Sequence, residues 1–145
     1  MAITQAIANA FKKQLLEGDA NFASGGDKFK LALYTSSATL NSATTSYTTT
    51  QEVSASGAYT AGGGALTGQN TSVASGVAIV DFADLSFTGV TLTARGALIY
   101  NTSSAVTNAA VAVLDFGADK TATSGTFTVQ FPAFTTSAAI LRISG

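Results

Sequence analysis

The sequence predicts a mainly β protein, an antiparallel β-sandwich of jelly-roll-like type with one N-terminal α-helix. Three observations predict it. Apolar and hydroxyl residues alternate in several short runs, Gly, Ser and Asn punctuate those runs at turn positions, and only one stretch carries a helical period, so there is no βαβ alternation. At 145 residues the chain can bury about 68–70% of its unfolded surface around a single core, with no metal or disulfide staple.

The helix comes first. Ile3, Ile7, Phe11 and Leu15 recur at every fourth position, flanked by Ala10 and Leu16. That stripe predicts a helix over residues 4–17, with Thr4 as its N-cap and Gly18 as its left-handed stop. Residues 1–18 therefore read as a helix or arm, and residues 19–145 as one sandwich domain. The stripe either packs on the chain's own sheet or docks on a neighbour, and Phe11 and Leu15 are the residues that would make the second contact. It reads better as a structural helix than as a secretory signal, because no early basic region precedes it and Gln5, Asn9, Lys12 and Lys13 interrupt its apolar residues.

Past Gly18, a Gly25-Gly26-Asp27 turn leads into the alternating run FKLALY at 29–34, a strand with one buried face. Residues 35–72 are dominated by Ser, Thr, Gly and Ala, with Val53, Tyr59 and Leu66 as sparse apolar anchors. They are expected to form a long loop, with faint strand signals at 52–53 and 65–66. Strands are then expected at 77–82, 85–87, 90–100, 110–116, 125–131 and 138–143. In TFTVQF (126–131) the alternation gives an aromatic inner face and a hydroxyl outer face, and Pro132, the one proline, ends the run.

Composition narrows the function classes. Charged residues make up 10% of the chain and the net charge is −1, so there is no basic field for nucleic acid or an anionic membrane surface. No apolar run reaches the length of a membrane span. Ser and Thr number 37, so the surface is coated with hydroxyls rather than charges. Little electrostatic repulsion keeps copies apart, which favours edges and apolar patches covered by partner chains, hence a homo-oligomer. With no His and no Cys, the Ser-His-Asp and Cys-His constellations and the usual zinc ligand sets are excluded. Asp81 with Asp84, and Asp115 with Asp119, fit turn caps better than a calcium loop or an acid–base pair. Gly62-Gly63-Gly64 lacks the Lys-Ser/Thr of a phosphate-binding loop. No catalytic residue, cofactor or metal site is expected. Nothing in the spacing of Tyr34, Tyr47, Tyr59 and Tyr100 places them on one surface. Tyr34, Tyr47, Tyr59 and Arg95 join Phe11 and Leu15 as candidate contacts to sister subunits or other partners.

One further signal is carried by sequence words spread over residues 11–143: FKKQLLEG (11–18), FKLALYTSSATLN (29–41), YTTTQEV (47–53), GAYTAGG (57–63), VDFAD (80–84), ARGALIYN (94–101), AVAVLDFGADK (110–120) and FTVQFP (127–132). Together these words resemble a family of small virion structural proteins of tailed bacteriophages. The resemblance implies a virion component and, by analogy with other small β-rich virion proteins, a capsid decoration or cement protein. Such a protein associates with itself, commonly as a trimer, and binds the major capsid protein at the capsid surface after assembly in the host cytoplasm. A tail, neck or fibre-associated component is the alternative within the virion, and a host-surface glycan-binding module is the alternative outside that class. The family has no catalytic motif to map onto this chain.

Overall fold

The computed structural model describes residues 2–132 and 139–144. The order of elements is β1 (Ala6–Ile7), α1 (Asn9–Leu16), β2 (Phe29–Tyr34), β3 (Gly64–Ala65), β4 (Asn70–Ala74), β5 (Val77–Asp81), β6 (Leu85–Asn101), β7 (Ala109–Val129) and β8 (Leu141–Ser144). The protein is mainly β, with two antiparallel sheets in a sandwich-like arrangement and one short helix near the N-terminus, as the alternation predicts. A large sheet has the order β1-β7-β6-β2-β3 and a small one the order β4-β5-β8.

The helix is shorter than its stripe. It begins at Asn9, with Ala8 as an N-cap that makes no side-chain capping bond, rather than at Thr4. The residues before it are extended. Ala6 and Ile7 pair with Val113 and Ala112 of β7, and Thr4 N–H donates to the Leu40 carbonyl at 2.9 Å. A spacing of four is even, so it lines one face of a strand as well as one face of a helix, and here the open edge of β7 satisfies the backbone that a first helical turn would have left unpaired. The far end matches expectation. Gly18 takes a φ of +76°, its N–H donates to Leu15 O at 3.3 Å, and Asp19 N–H donates to Gln14 O at 2.9 Å. These two bonds close a Schellman motif.

The two long strands run through what the sequence reads as breaks. The predicted pieces 85–87 and 90–100 are one strand, β6, and 110–116 and 125–131 merge into β7. The ladder absorbs the irregular residues as bulges. Between the pairs Ala94↔Lys120 and Gly96↔Asp115, Arg95 alone lies opposite residues 116–119, and Gly117 within them takes a φ of +81°. Such a bulge bends the strand without ending it. The last strand starts at Leu141; its predicted beginning at Ala138 lies outside the described residues.

The large sheet is covered on both faces. On one face Phe29 of β2 stacks on Phe22, with ring centroids 4.5 Å apart and planes 5° apart. Phe22 meets Phe11 of α1 edge-on at 5.7 Å, and Phe29 meets Phe82, just past β5, at 5.7 Å. Phe82 continues to Phe131 at 6.0 Å. This aromatic seam joins the helix and the small sheet to the large one. On the other face, residues 35–63 form the cover. The expected long loop is therefore not free here: Ala38, Leu40, Val53 and Tyr59 are all buried in the core. Val53 N–H donates to Leu33 O at 2.9 Å, and Glu52 bridges to Tyr34, so this segment also satisfies the second edge of β2. Gly63 is required at the end of the cover. Its φ is +80°, and a Cβ there would lie 1.8 Å from the Leu31 carbonyl oxygen.

Candidate interaction surface

The cover over β2 is held by a cage of phenols that sequence spacing does not reveal. All four tyrosines converge on it. Tyr47 Oη donates to Glu52 Oε1 at 2.6 Å, Tyr59 Oη donates to Glu52 Oε2 at 2.7 Å, and the Gly62 N–H donates to the same oxygen at 2.8 Å. Tyr59 Oη in turn accepts from the Leu33 N–H at 2.8 Å. Tyr34 Oη donates to the Thr48 carbonyl at 2.7 Å, and Tyr100 Oη donates to the Gly62 carbonyl at 2.6 Å. The Tyr47 ring stacks on Tyr100 at 4.8 Å. Lys30, Ala32 and Tyr34 alternate onto the face of β2 that the loop covers, and the Lys30↔Tyr100 pairing places Tyr100 on the same face. A segment poor in aliphatic residues is thus fixed by hydrogen bonds that each tie a phenol to loop backbone or to Glu52.

Burial acts on these phenols in one direction. It raises all four above the ordinary tyrosine value of about 10. Tyr100 is pushed up to about 12, first by burial and then by the nearby Glu52 charge. Tyr47 and Tyr59 are raised first by burial and then by their hydrogen bonds to Glu52, and Tyr34 is raised chiefly by burial. A raised pKa means that the folded state holds these protons more tightly than the unfolded chain does. The stabilisation is therefore full below pH 10 and is lost as the pH rises through about 12. In a spectrophotometric titration, phenolate absorbance is expected to stay low through pH 10 and to appear together with loss of β-sheet circular dichroism. A midpoint near 10 with the fold intact would contradict the cage.

This geometry corrects part of the expected contact set. Tyr34 and Tyr59 are 0% exposed, so neither can touch a partner in this conformation; their hydroxyls are used inside. Phe11 is likewise buried in the aromatic seam. Tyr47 is half-buried and committed to Glu52. Arg95 faces Asp115 of its own chain, with Nε 3.6 Å from Oδ1 and both side chains about a third exposed, a pair worth about 1 kcal/mol or less. Leu15 is half-buried at the base of a groove. With three of the four rings closed to solvent, the tyrosines form no open stacking platform.

The surface that remains open lies elsewhere. Among the described residues, the large hydrophobic side chains left exposed are Leu16 (90%), Val73 (73%), Ile143 (58%) and Val106 (49%). The first three belong to one face. Val73 pairs with Ala78 across β4–β5, and Ala78 pairs with Ile143 across β5–β8. Directly opposed residues of antiparallel strands point to the same side, so Val73, Ala78 and Ile143 form one apolar row. The next row on that side runs from exposed Thr71 through half-buried Val80 to Leu141, which is buried in the core. Between these rows and α1 runs a groove of about 290 Å³, lined by Phe11, Leu15, Leu16, Phe22, Val80 and Ile143 among others. Contiguous apolar surface of this kind, with Lys12 and Arg142 also on the groove lining, is the candidate interaction surface among the described residues.

In the sequence Leu16 is only a flank of the helical stripe, and nothing sets Val73 or Ile143 apart as surface residues. One signal was present. In VAIV (77–80) both strand parities are apolar, as in a strand covered on both sides, whereas here one of those sides runs out into solvent. Comparison with protein-family models, with curated proteins and with solved structures gave no match to this chain.

Proposed function

We propose that this chain is a structural protein of a tailed-phage virion and, within it, a capsid decoration (cement) protein that binds the lattice of the major capsid protein. The observation that carries the reading is the open apolar face: Leu16, Val73 and Ile143 on one side of α1 and the small sheet, beside a greasy groove. A chain with so little charge keeps such a face out of water by association. The family resemblance of the sequence words supplies the setting. The compact loop over β2 supports the same reading, because a cement protein must present a preformed surface and lose little conformational entropy on docking.

The test is direct. Shells prepared without this protein are incubated with the purified chain and then heated. The chain is expected to bind in proportion to the capsid protein and to raise the temperature at which the shells open. A chain that leaves the shells bare, or that assembles instead as a ring at the portal or tail, refutes the decoration role.

A further inference from the structure

We propose that the free edge at the end of β7, residues 126–130, takes an extended segment of a partner protein, which adds to the large sheet as one more strand. This edge is separate from the face of α1 and the small sheet, and the proposal rests on nothing assigned to that face. The outer edge of β7 is covered over only part of its length. Extended segments of the chain itself close the first part: Ser46 bridges to Ala109, and β1 pairs with Ala112 and Val113. Past Asp115 the one strand beside β7 among the described residues is β6. The ladder fixes which backbone groups are left over. Phe131 N–H donates to Asp84 Oδ1 at 2.9 Å, on the β6 side. By alternation Phe127 and Val129 also turn their N–H and C=O to β6, and Thr126, Thr128 and Gln130 turn theirs outward. All three are exposed.

A hollow of about 400 Å³ runs along this edge. It is lined by all of residues 126–130 together with Phe116 and, among the described residues, by none of β6. Side chains of a strand alternate, so a hollow over one face would be lined by every second residue; one lined by consecutive residues lies beside the backbone. The edge is also recessed. Phe116 and Phe127 would stand about 36 Å apart on a straight strand, yet their ring centroids are 6.2 Å apart, so β7 bends round the hollow. These features select the occupant. A row of unused N–H and C=O groups is satisfied by another extended backbone, and residues 121–130 carry no charge and no proline to keep one away. The β7 of a second copy is bent in the same way and carries its own hairpin, which holds its edge off where a single free segment enters. Side chains that the segment turns inward meet Phe127 and Val129, and those it turns outward meet Thr126 and Thr128. The partner segment therefore alternates apolar with hydroxyl residues, the pattern that gives a strand-addition site its specificity.

The test uses the full chain and a short, end-capped synthetic peptide of alternating valine and threonine. In amide hydrogen exchange followed by nuclear magnetic resonance, the free chain is expected to exchange quickly at Thr126, Thr128 and Gln130 and slowly at Phe127 and Val129. Saturating peptide is expected to slow the first three at least about tenfold. Only one alternate set of peptide amides faces β7. N-methylation of that set is expected to weaken binding at least about tenfold, and N-methylation of the other set to leave it unchanged. Slow exchange at Thr126, Thr128 and Gln130 in the free chain would show that the edge is already closed, and overturns the proposal. So does a peptide that fails to bind, that binds without protecting these amides, or that binds equally well with either set methylated.

Discussion

Replacing Glu52 by alanine is expected to lower the free energy of unfolding by about 3 kcal/mol. The carboxylate accepts from three donors at once, namely the phenols of Tyr47 and Tyr59 and the backbone N–H of Gly62. Alanine leaves all three without that acceptor; Tyr59 has no exposed surface for water, and the Leu33 carbonyl, 3.5 Å from its hydroxyl, is a poor substitute. An orphaned buried donor is penalised by about 1–3 kcal/mol, and more when the lost partner was charged. The loss is not the simple sum of three such terms, because Tyr47 is half-exposed and can turn to solvent. Glu52→Gln keeps a carbonyl acceptor and is expected to recover more than half of the deficit. Urea unfolding measures both. Hydrogen exchange adds a local readout: the amides of Val53 and Gly62 should lose protection in Glu52→Ala before the Ala97–Tyr100 stretch of β6 does. A Glu52→Ala protein within about 0.5 kcal/mol of wild type would show that the phenol cage does not hold the cover.

Phe22→Ala is expected to destabilise by about 3–5 kcal/mol, the usual range for emptying an aromatic site in a core. Phe22 sits in a loop between α1 and β2 yet forms the middle of the seam, touching Phe11, Phe29 and Phe82. Its removal takes away a stacked pair and two edge contacts, each worth about 0.5–1.5 kcal/mol beyond area burial, and opens the floor of the groove between α1 and the small sheet. Phe22→Leu fills most of that volume and is expected to lose less than half as much. Thermal unfolding followed by circular dichroism distinguishes them. A near-neutral Phe22→Ala would mean that the small sheet and helix are held to the large sheet by something other than the aromatic seam.

Much of the fold was legible in the sequence because alternation is a local signal. FKLALY, VAIVD, ARGALIYN and AVAVLDF all lie in the strands that their patterns predict. What local pattern could not supply has identifiable physical causes. β4 reads NTSVA and is exposed along its whole length, so it lacks the apolar alternation that announces a strand. β1 was hidden because Ile3 and Ile7 satisfy the helical and extended periods equally. Gly89, Gly117 and Gly125 resemble turn punctuation, but the ladder takes up the first two as irregularities and pairs Gly125 with Val90. The tyrosine cage depends on partners from Tyr34 to Tyr100, and no spacing rule links residues that far apart. The open face is likewise assembled from Leu16, Val73 and Ile143, three points in the chain that only the register of β4, β5 and β8 and the docking of α1 bring together.

The same distinction separates how the molecule is held from how it is proposed to work. Its buried polar chemistry, four phenols around one carboxylate, is spent on fixing a hydroxyl-rich cover over the large sheet. Its outward chemistry is apolar and lies on the other side, where α1 and the small sheet leave a groove. A pH-dependent loss of the cover above pH 10 would therefore report on the scaffold, whereas changes at Leu16 report on association.

The most direct test of the proposed role is to look for the chain in purified particles of a tailed phage whose genome carries this sequence, combining a cryo-electron-microscopy map with its copy number relative to the major capsid protein. A decoration protein is expected as density on the outer surface of the shell at a copy number comparable with that of the capsid protein. Particles that lack the chain, or that carry only a few copies confined to the neck or tail, would contradict it.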